Sequence, residues 1–168
     1  MTADHLNTIL GHHVWATLLL LDRCGSLTPE ELALTTPGTY GSIHATLGHL
    51  VAADRRYVCG ITGGERVSWN VAAPPPVAAL RAEAERQRSG WADVLERIDE
   101  VDCTMPEIAG AYPRVEHAVG LFLVQAVHHG ERHRGEVCTI LGAHGLEVPE
   151  LSGWDYVLVQ RGLAAEAP

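Results

Sequence analysis

Apolar residues recur along this chain at steps of three and four, the spacing that places side chains on one face of an α-helix. The first such segment runs from about Asp4 to Cys24, and Gly25 after it is the residue type that most often ends a helix. Thr28 followed by Pro29 then predicts the capped start of a short helix. The inner face of the first helix is expected to contain Leu6, Ile9, Leu10, His13, Thr17, Leu20, Leu21 and Cys24.

Three further long helices follow from the same pattern. The second begins after Ser42, whose hydroxyl can cap it, and ends at Gly63-Gly64. The third runs from Val77 to about Ile98 and is rich in Ala, Glu and Arg. The fourth runs from Arg114 to about Ala143. Together with the first segment, these helices account for most of the chain.

Two shorter features complete the predicted fold. Residues 99–113 contain two prolines and a glycine and predict a loop or a small hairpin before the last long helix. A short helix is expected within Trp154–Leu163, followed by a frayed tail. Four long helices with uneven connections predict an all-α four-helix bundle, a fold whose core can hold metal sites built from facing helices. No internal repeat divides the chain, so residues 1–168 are expected to form a single domain.

Composition narrows the range of functions. The chain has 12 Lys+Arg against 21 Asp+Glu and a formal net charge of -9, the wrong sign for binding by neutralising phosphates, so neither nucleic acid nor an anionic membrane is an expected partner. No apolar run reaches the roughly 18 residues of a membrane span, and the start lacks the basic region of a signal peptide. The four cysteines form no C-x-x-C pair. These features predict a soluble cytoplasmic protein with reduced cysteines.

The candidate chemistry lies in the histidines of two helices. His129 and His133 are four residues apart on the fourth helix, so their directions differ by only about 40 degrees. Their face also carries Phe122 and Ile140 and is expected to point inward, where unpartnered imidazoles would be costly. The second helix offers His49 among small neighbours. Three neutral imidazoles make the His₃ arrangement of catalytic zinc sites, with a fourth position open; the alternative is a pair of surface histidines.

Glu136 is a candidate catalytic residue beside these histidines. It follows His129 by seven residues and falls about 20 degrees from it on an ideal helix, so it is expected in the metal pocket. There it could orient an imidazole, act as a general base or be a fourth ligand. The alternative is a solvated carboxylate.

Other polar residues near the motif receive structural roles. Arg134 is expected to point away from the ligand face and to pair with a carboxylate such as Asp54, and Gly135 to permit close approach of another helix. His128 lies about 100 degrees from His129 and is expected at a helix contact or in solvent, not as a ligand.

Two stretches resemble motifs of the DinB family, also called the DinB/YfiT-like metalloenzymes. Residues 42–55, SIHATLGHLVAADR, resemble its second-helix motif, and residues 129–135, HGERHRG, resemble its fourth-helix H-x-x-x-H-R-G motif. Supporting likenesses lie at residues 13–16 and 27–32. Two positions differ: Glu136 stands where the family commonly has Gln, and His13 begins the pattern that the family writes as N-x-W.

The resemblance implies a four-helix bundle, often a homodimer, with a divalent ion, zinc or nickel, on the histidines that match His49, His129 and His133. Family members with assigned chemistry are thiol-dependent transferases or isomerases that use low-molecular-weight thiols. The expected function is therefore a metal-dependent enzyme acting on a small molecule. A metal-dependent hydrolase, a non-catalytic metal- or ligand-binding bundle and a degenerate site without metal are the alternatives.

Overall fold

The computed structural model describes residues 3–65, 69–70, 73–96, 103–104, 116–117 and 119–163. Within them the chain is helical apart from one pair of two-residue strands, which confirms the all-α prediction. The helices are α1 (Ala3–Cys24), α2 (Pro29–Leu32), α3 (Ile43–Thr62), α4 (Val77–Glu96), α5 (Val119–Ala143) and α6 (Gly153–Gln160). The strands are β1 (Cys103–Thr104) and β2 (Glu116–His117), which pair antiparallel.

Local sequence signals set the ends of the helices that were predicted. The Thr28 hydroxyl accepts from the backbone N–H of Glu31, and the Glu31 carboxylate accepts from that of Thr28, so a capping box starts α2. The Ser42 hydroxyl accepts from the N–H of Ala45 and caps α3. Gly63 ends α3 at a φ of 79°, a left-handed conformation that favours glycine. The predicted bounds of α3, which carries His49, are confirmed.

The fourth long helix begins later than predicted. Within the described residues α5 starts at Val119, not at Arg114, because Glu116 and His117 pair with β1 and their backbone groups are extended. The pairing of β1 with β2 supports the hairpin rather than the loop. The remainder of residues 99–113, the predicted third-helix end at Ile98 and the tail 164–168 lie outside the described residues.

The four long helices pack around one core in the cyclic order α1, α4, α3, α5. Helix α4 packs against both α1 and α3, and α5 packs against α3 and, over a smaller contact, α1. The core is apolar and its largest fully buried side chains include Leu20, Leu21, Leu47, Leu50, Leu80, Trp91, Ile140 and Leu141. Within the described residues, no helix combines the length and the apolarity needed to cross a membrane. The direct packing of α3 on α5 is the contact that builds the candidate site.

A buried polar cluster joins α1, α3 and α5 behind that contact. The His13 Nε2 lies 2.7 Å from an Asp54 carboxylate oxygen, and both side chains are buried. The Arg134 guanidinium donates to the Thr17 hydroxyl at 2.8 Å and to the Glu131 carboxylate at 2.6 Å. The expectation that Arg134 pairs with a carboxylate is confirmed, but its partner is Glu131. The candidate Asp54 is wrong, because His13 of α1 takes that carboxylate instead.

Gly130 is the glycine that permits close packing on α5, whereas Gly135 was expected to do so. A Cβ added at Gly130 would lie 2.8 Å from the His13 Nδ1 and 2.9 Å from an Arg134 Nη1. At Gly135 no atom lies within 4 Å of the added Cβ, and the residue is exposed. The expectation for Gly135 is wrong because that residue faces away from the neighbouring helices.

Cysteines in the helices of the described part of the chain behave as packing residues. Cys24 and Cys59 are buried, and Cys138 is half-buried. Burial raises the pKa of the Cys24 thiol to about 12 and also raises that of Cys138. Both thiols are therefore protonated and unreactive near neutral pH.

Candidate metal centre

Helices α3 and α5 bring His49, His129 and His133 together. One ring nitrogen from each lies within 4.8 Å of the others, and the Nε2 atoms of His49 and His129 are 3.0 Å apart. The ring centroids are separated by 4.3 Å for His129 and His133, and by 4.9 and 4.8 Å for His49 with each of them. The i, i+4 pair on α5 and the single histidine on α3 thus form one cluster, at the place expected for them.

The histidine rings are oriented by partners on their outer nitrogens. The His133 Nδ1 lies 2.7 Å from a Glu136 carboxylate oxygen, and the His49 Nδ1 lies 3.2 Å from the Tyr40 hydroxyl. Each contact occupies Nδ1 and leaves Nε2 as the ring nitrogen available to the cluster, the arrangement of many metal-binding histidines. The His129 Nδ1 is buried without a hydrogen-bond partner among the described residues.

Burial and neighbouring charge keep two of the imidazoles neutral. Burial, then the charges of His133 and Arg56, lower the pKa of His49 to about 4. Burial is also the main cause for His129, whose pKa falls to about 3, with further contributions from His133, His49, Arg56 and His13. Near neutral pH both rings are therefore in the unprotonated form that a metal requires.

The cluster fits a divalent transition metal. Zinc bound tetrahedrally at about 2.0–2.1 Å from each nitrogen separates its ligand atoms by roughly 3.3 Å, close to the 3.0 Å between His49 and His129. Neutral imidazole nitrogens suit zinc and nickel, while carboxylate and carbonyl oxygens suit magnesium and calcium. Three such ligands leave a fourth position open. His133 is 4% exposed, whereas His49 and His129 are only partly buried, so the cluster lies at the edge of the core.

Glu136 lies on the ligand face, as the helical spacing predicts. Its side chain is 12% exposed, and the Arg132 Nε donates to its second oxygen at 3.1 Å. Burial alone would raise the pKa of Glu136, but hydrogen bonds from His133, Arg132 and the backbone N–H of Tyr40 outweigh burial and lower it. The Glu136 carboxylate is thus charged near neutral pH and accepts hydrogen bonds from three donors.

Tyr40 is a site residue that sequence reasoning missed. It belongs to the connection between α2 and α3, and its ring stacks on His49 with centroids 4.3 Å apart and an interplanar angle of 21°. The same ring meets His133 edge-on at 5.1 Å. Helical periodicity gives no information about a loop residue. The available signal was an aromatic residue between Thr39 and Gly41, just before the Ser42 cap.

Several other described histidines lie outside the cluster. His128 is exposed and lies outside the cluster, as expected. Three other rings join segments that are distant in sequence: the Nε2 atoms of His12, His44 and His144 lie 2.8, 2.8 and 3.0 Å from the carbonyl oxygens of Leu151, Pro75 and Thr35. These three rings are structural.

Comparisons with known proteins agree with the fold and the motif. The sequence model of the DinB superfamily matches residues 12–137, a span that includes all three clustered histidines. A DinB-like protein from Bacillus cereus ATCC 10987, known from a crystal structure, is similar at a TM-score of 0.67 and 16% identity over 88% of this chain and 95% of that one. A search of curated proteins found no significant match. At this identity the structural likeness supports the fold alone, but the superfamily match spans most of the sequence, and the chain belongs to the DinB superfamily.

Proposed function

We propose that the protein is a metal-dependent enzyme in which His49, His129 and His133 hold one divalent ion, zinc or nickel. The observation that carries the proposal is the convergence of three imidazole nitrogens within 4.8 Å, with two of the rings held from behind at Nδ1. A divalent ion bound there would act as a Lewis acid and would lower the pKa of a water or a thiol in its open position.

Glu136 and Tyr40 act as positioning residues in this proposal. Glu136 holds the proton of His133 on Nδ1, so that Nε2 carries the free lone pair. The Tyr40 hydroxyl contacts the outer nitrogen of His49 in the same way, while its ring covers one face of that imidazole. Of the three roles considered for Glu136, the orienting role is favoured over general base and fourth ligand. Its carboxylate already accepts from three donors, and its lowered pKa makes it a weak base.

The family likeness supports a thiol-dependent transferase or isomerase acting on a small molecule, and a homodimer. The protonated thiols of Cys24 and Cys138, which form no disulfide, support a cytoplasmic location. Metal-dependent hydrolysis is the second candidate, but it calls for a free base near the open position, and Glu136 is engaged. A non-catalytic metal-binding bundle is the remaining alternative, and it would need a fourth protein ligand to close the site.

Elemental analysis of protein purified without a metal-affinity tag tests the metal site. We expect about one equivalent of zinc or nickel per chain for a His₃ site. His129→Ala and His133→Ala should lose tight binding and remain helical, whereas His128→Ala, a matched control on the same helix, should retain it. His49→Ala should lose binding as well. Equal binding by all four variants would refute the assignment.

A Co²⁺-loaded sample distinguishes the enzyme from a closed binding site. An open fourth position predicts that an added thiol changes the visible absorption of the bound cobalt. An unchanged spectrum at millimolar thiol would favour the non-catalytic alternative.

A further inference from the structure

We propose, on the basis of the metal-binding function above, that this site takes an anionic substrate and that Arg56 binds its carboxylate. A second group of the same molecule, such as a thiol, would then occupy the open position of the ion. The substrate class is a small thiol that also carries a carboxylate. A carboxylate is preferred to a dianionic phosphate because the chain as a whole has a formal charge of -9.

Arg56 lies on the same face of α3 as His49. It follows His49 by seven residues, two helical turns, at a difference in direction of only about 20 degrees. Side chains on a helix tend to lean toward its N-terminus, which is the direction of His49 from Arg56. Ala52 and Ala53 occupy the turn between them, so no large side chain of α3 fills that space.

The charge of Arg56 reaches two of the three candidate ligands. It contributes to the lowered pKa of His49 on its own helix and to that of His129 on the facing helix. Burial is the larger cause in both cases, and the contribution of Arg56 is consistent with its place two turns along α3 from His49.

Arg56 lacks the partner that most described arginines have. Its neighbour Arg55 donates to the Glu65 carbonyl oxygen at 3.0 Å and lies 3.7 Å from the Glu83 carboxylate. Further arginines with acceptors are Arg23, Arg81, Arg86, Arg88, Arg132 and Arg134. Arg56 is partly buried, and in the described part of the chain no carboxylate or carbonyl oxygen accepts from its guanidinium.

A cation with no acceptor among the described residues, next to a proposed dication site, has a consequence for the ligand. Arg56 repels the ion, so a site that only held a metal would bind it better with a neutral residue there. The charge of Glu136 opposes that of Arg56 at His49, but this carboxylate is already paired with the Arg132 guanidinium and bonded to His133. An anion is attracted by both the ion and the guanidinium, and Arg pairs with a carboxylate through two parallel hydrogen bonds. The local positive charge in an acidic chain thus selects anionic molecules.

Two thiols of similar size test the proposal directly. Co²⁺-loaded protein is titrated with 3-mercaptopropionate and with 2-mercaptoethanol, and each Kd is measured from the thiolate-to-cobalt absorption band. We expect the wild type to bind 3-mercaptopropionate about tenfold more tightly, the order of one charge-assisted pair in a partly buried site. Arg56→Gln should reduce that ratio to about one. Arg55→Gln, which removes the same charge from the adjacent residue, should retain it.

Metal affinity provides the second readout. Arg56→Gln should bind Co²⁺ at least as tightly as the wild type, because a repulsion is removed, whereas a folding defect would weaken Co²⁺ and both thiols together. An equal thiol ratio in the wild type and in Arg56→Gln overturns the role of Arg56 while leaving the metal site intact. A wild type that binds no Co²⁺ refutes the proposed function itself, and with it this substrate class.

Discussion

Two glycines of α5, Gly130 and Gly135, allow the packing around the buried polar cluster to be tested. Each is replaced by alanine in a separate variant, and the two variants are compared. A Cβ at Gly130 would lie 2.8 Å from the His13 Nδ1 and 2.9 Å from an Arg134 Nη1, closer than such contacts normally come. Neither neighbour is a free side-chain end, because His13 is bonded to Asp54 and Arg134 to three acceptors. At Gly135 an added methyl meets open space.

The expected free energies of unfolding follow from two opposing effects. Replacing a helical glycine with alanine stabilises by about 0.5–1 kcal/mol where nothing else changes, which is the expectation for Gly135→Ala. At Gly130 the same gain is opposed by overpacking, which costs about 1–3 kcal/mol when neighbours cannot move away. Gly130→Ala should therefore be less stable than Gly135→Ala by about 1–3 kcal/mol, since the propensity gain is common to both.

Urea unfolding of the metal-free proteins, followed by circular dichroism at 222 nm, measures this difference. The midpoints should separate while the denaturant slopes stay equal, so that the change is one of stability and not of compactness. Equal stabilisation by both substitutions would show that His13 and Arg134 do not lie against Gly130 as described, and would refute the reasoning. His13→Ala combined with Gly130→Ala provides the control, because removing the ring should relieve part of the overpacking.

Three further predictions concern the site. Histidines of the unfolded chain take up protons near pH 6.5, while the pKa values of His49 and His129 in the folded protein are about 4 and 3. The metal-free protein should therefore lose stability as pH falls from 6.5 toward 4. Urea midpoints measured across this range should decrease, and His49→Gln should make the dependence of the midpoint on pH less steep. Tyr40→Phe removes the hydroxyl beside His49 Nδ1 but keeps the stacked ring. Zinc affinity measured by chelator competition should therefore fall about tenfold. An unchanged affinity would mean that the hydroxyl does not position His49. In Glu136→Gln the side-chain oxygen can still accept a hydrogen bond from His133, but the negative charge is gone. Elemental analysis should show an unchanged number of metal ions per chain, and chelator competition should show a weaker metal affinity. Complete loss of the metal would favour a direct ligand role for Glu136.

The helices that carry the candidate metal ligands, α3 and α5, could be predicted from short-range signals in the sequence. Ser42 and Gly63 are capping residues whose effects act within one turn, so the limits of α3 could be read directly. The spacing of His129 and His133 sets their common direction once α5 is helical. The apolar residues on the same face then indicate that this direction is inward.

Features that depend on contacts between distant segments could not be read in this way. The pairing of His13 with Asp54 joins residues 41 positions apart, and the relative rotation of α1 and α3 decides which polar groups meet. The late start of α5 depends on the pairing of β2 with β1. Tyr40 reaches the cluster through the path of a loop, which has no period from which a direction could be inferred.

The buried cluster behind the site has a consequence for how an ion arrives. Arg134 follows His133 directly in the sequence, and its guanidinium is fastened to the His13 carbonyl oxygen and the Thr17 hydroxyl of α1. Turning α5 about its axis would break those bonds, so the directions of His129 and His133 are fixed by the protein and do not depend on the ion. Under the proposed function, an ion would therefore bind to histidines that are already in position, and a chelator should remove it without unfolding the helices.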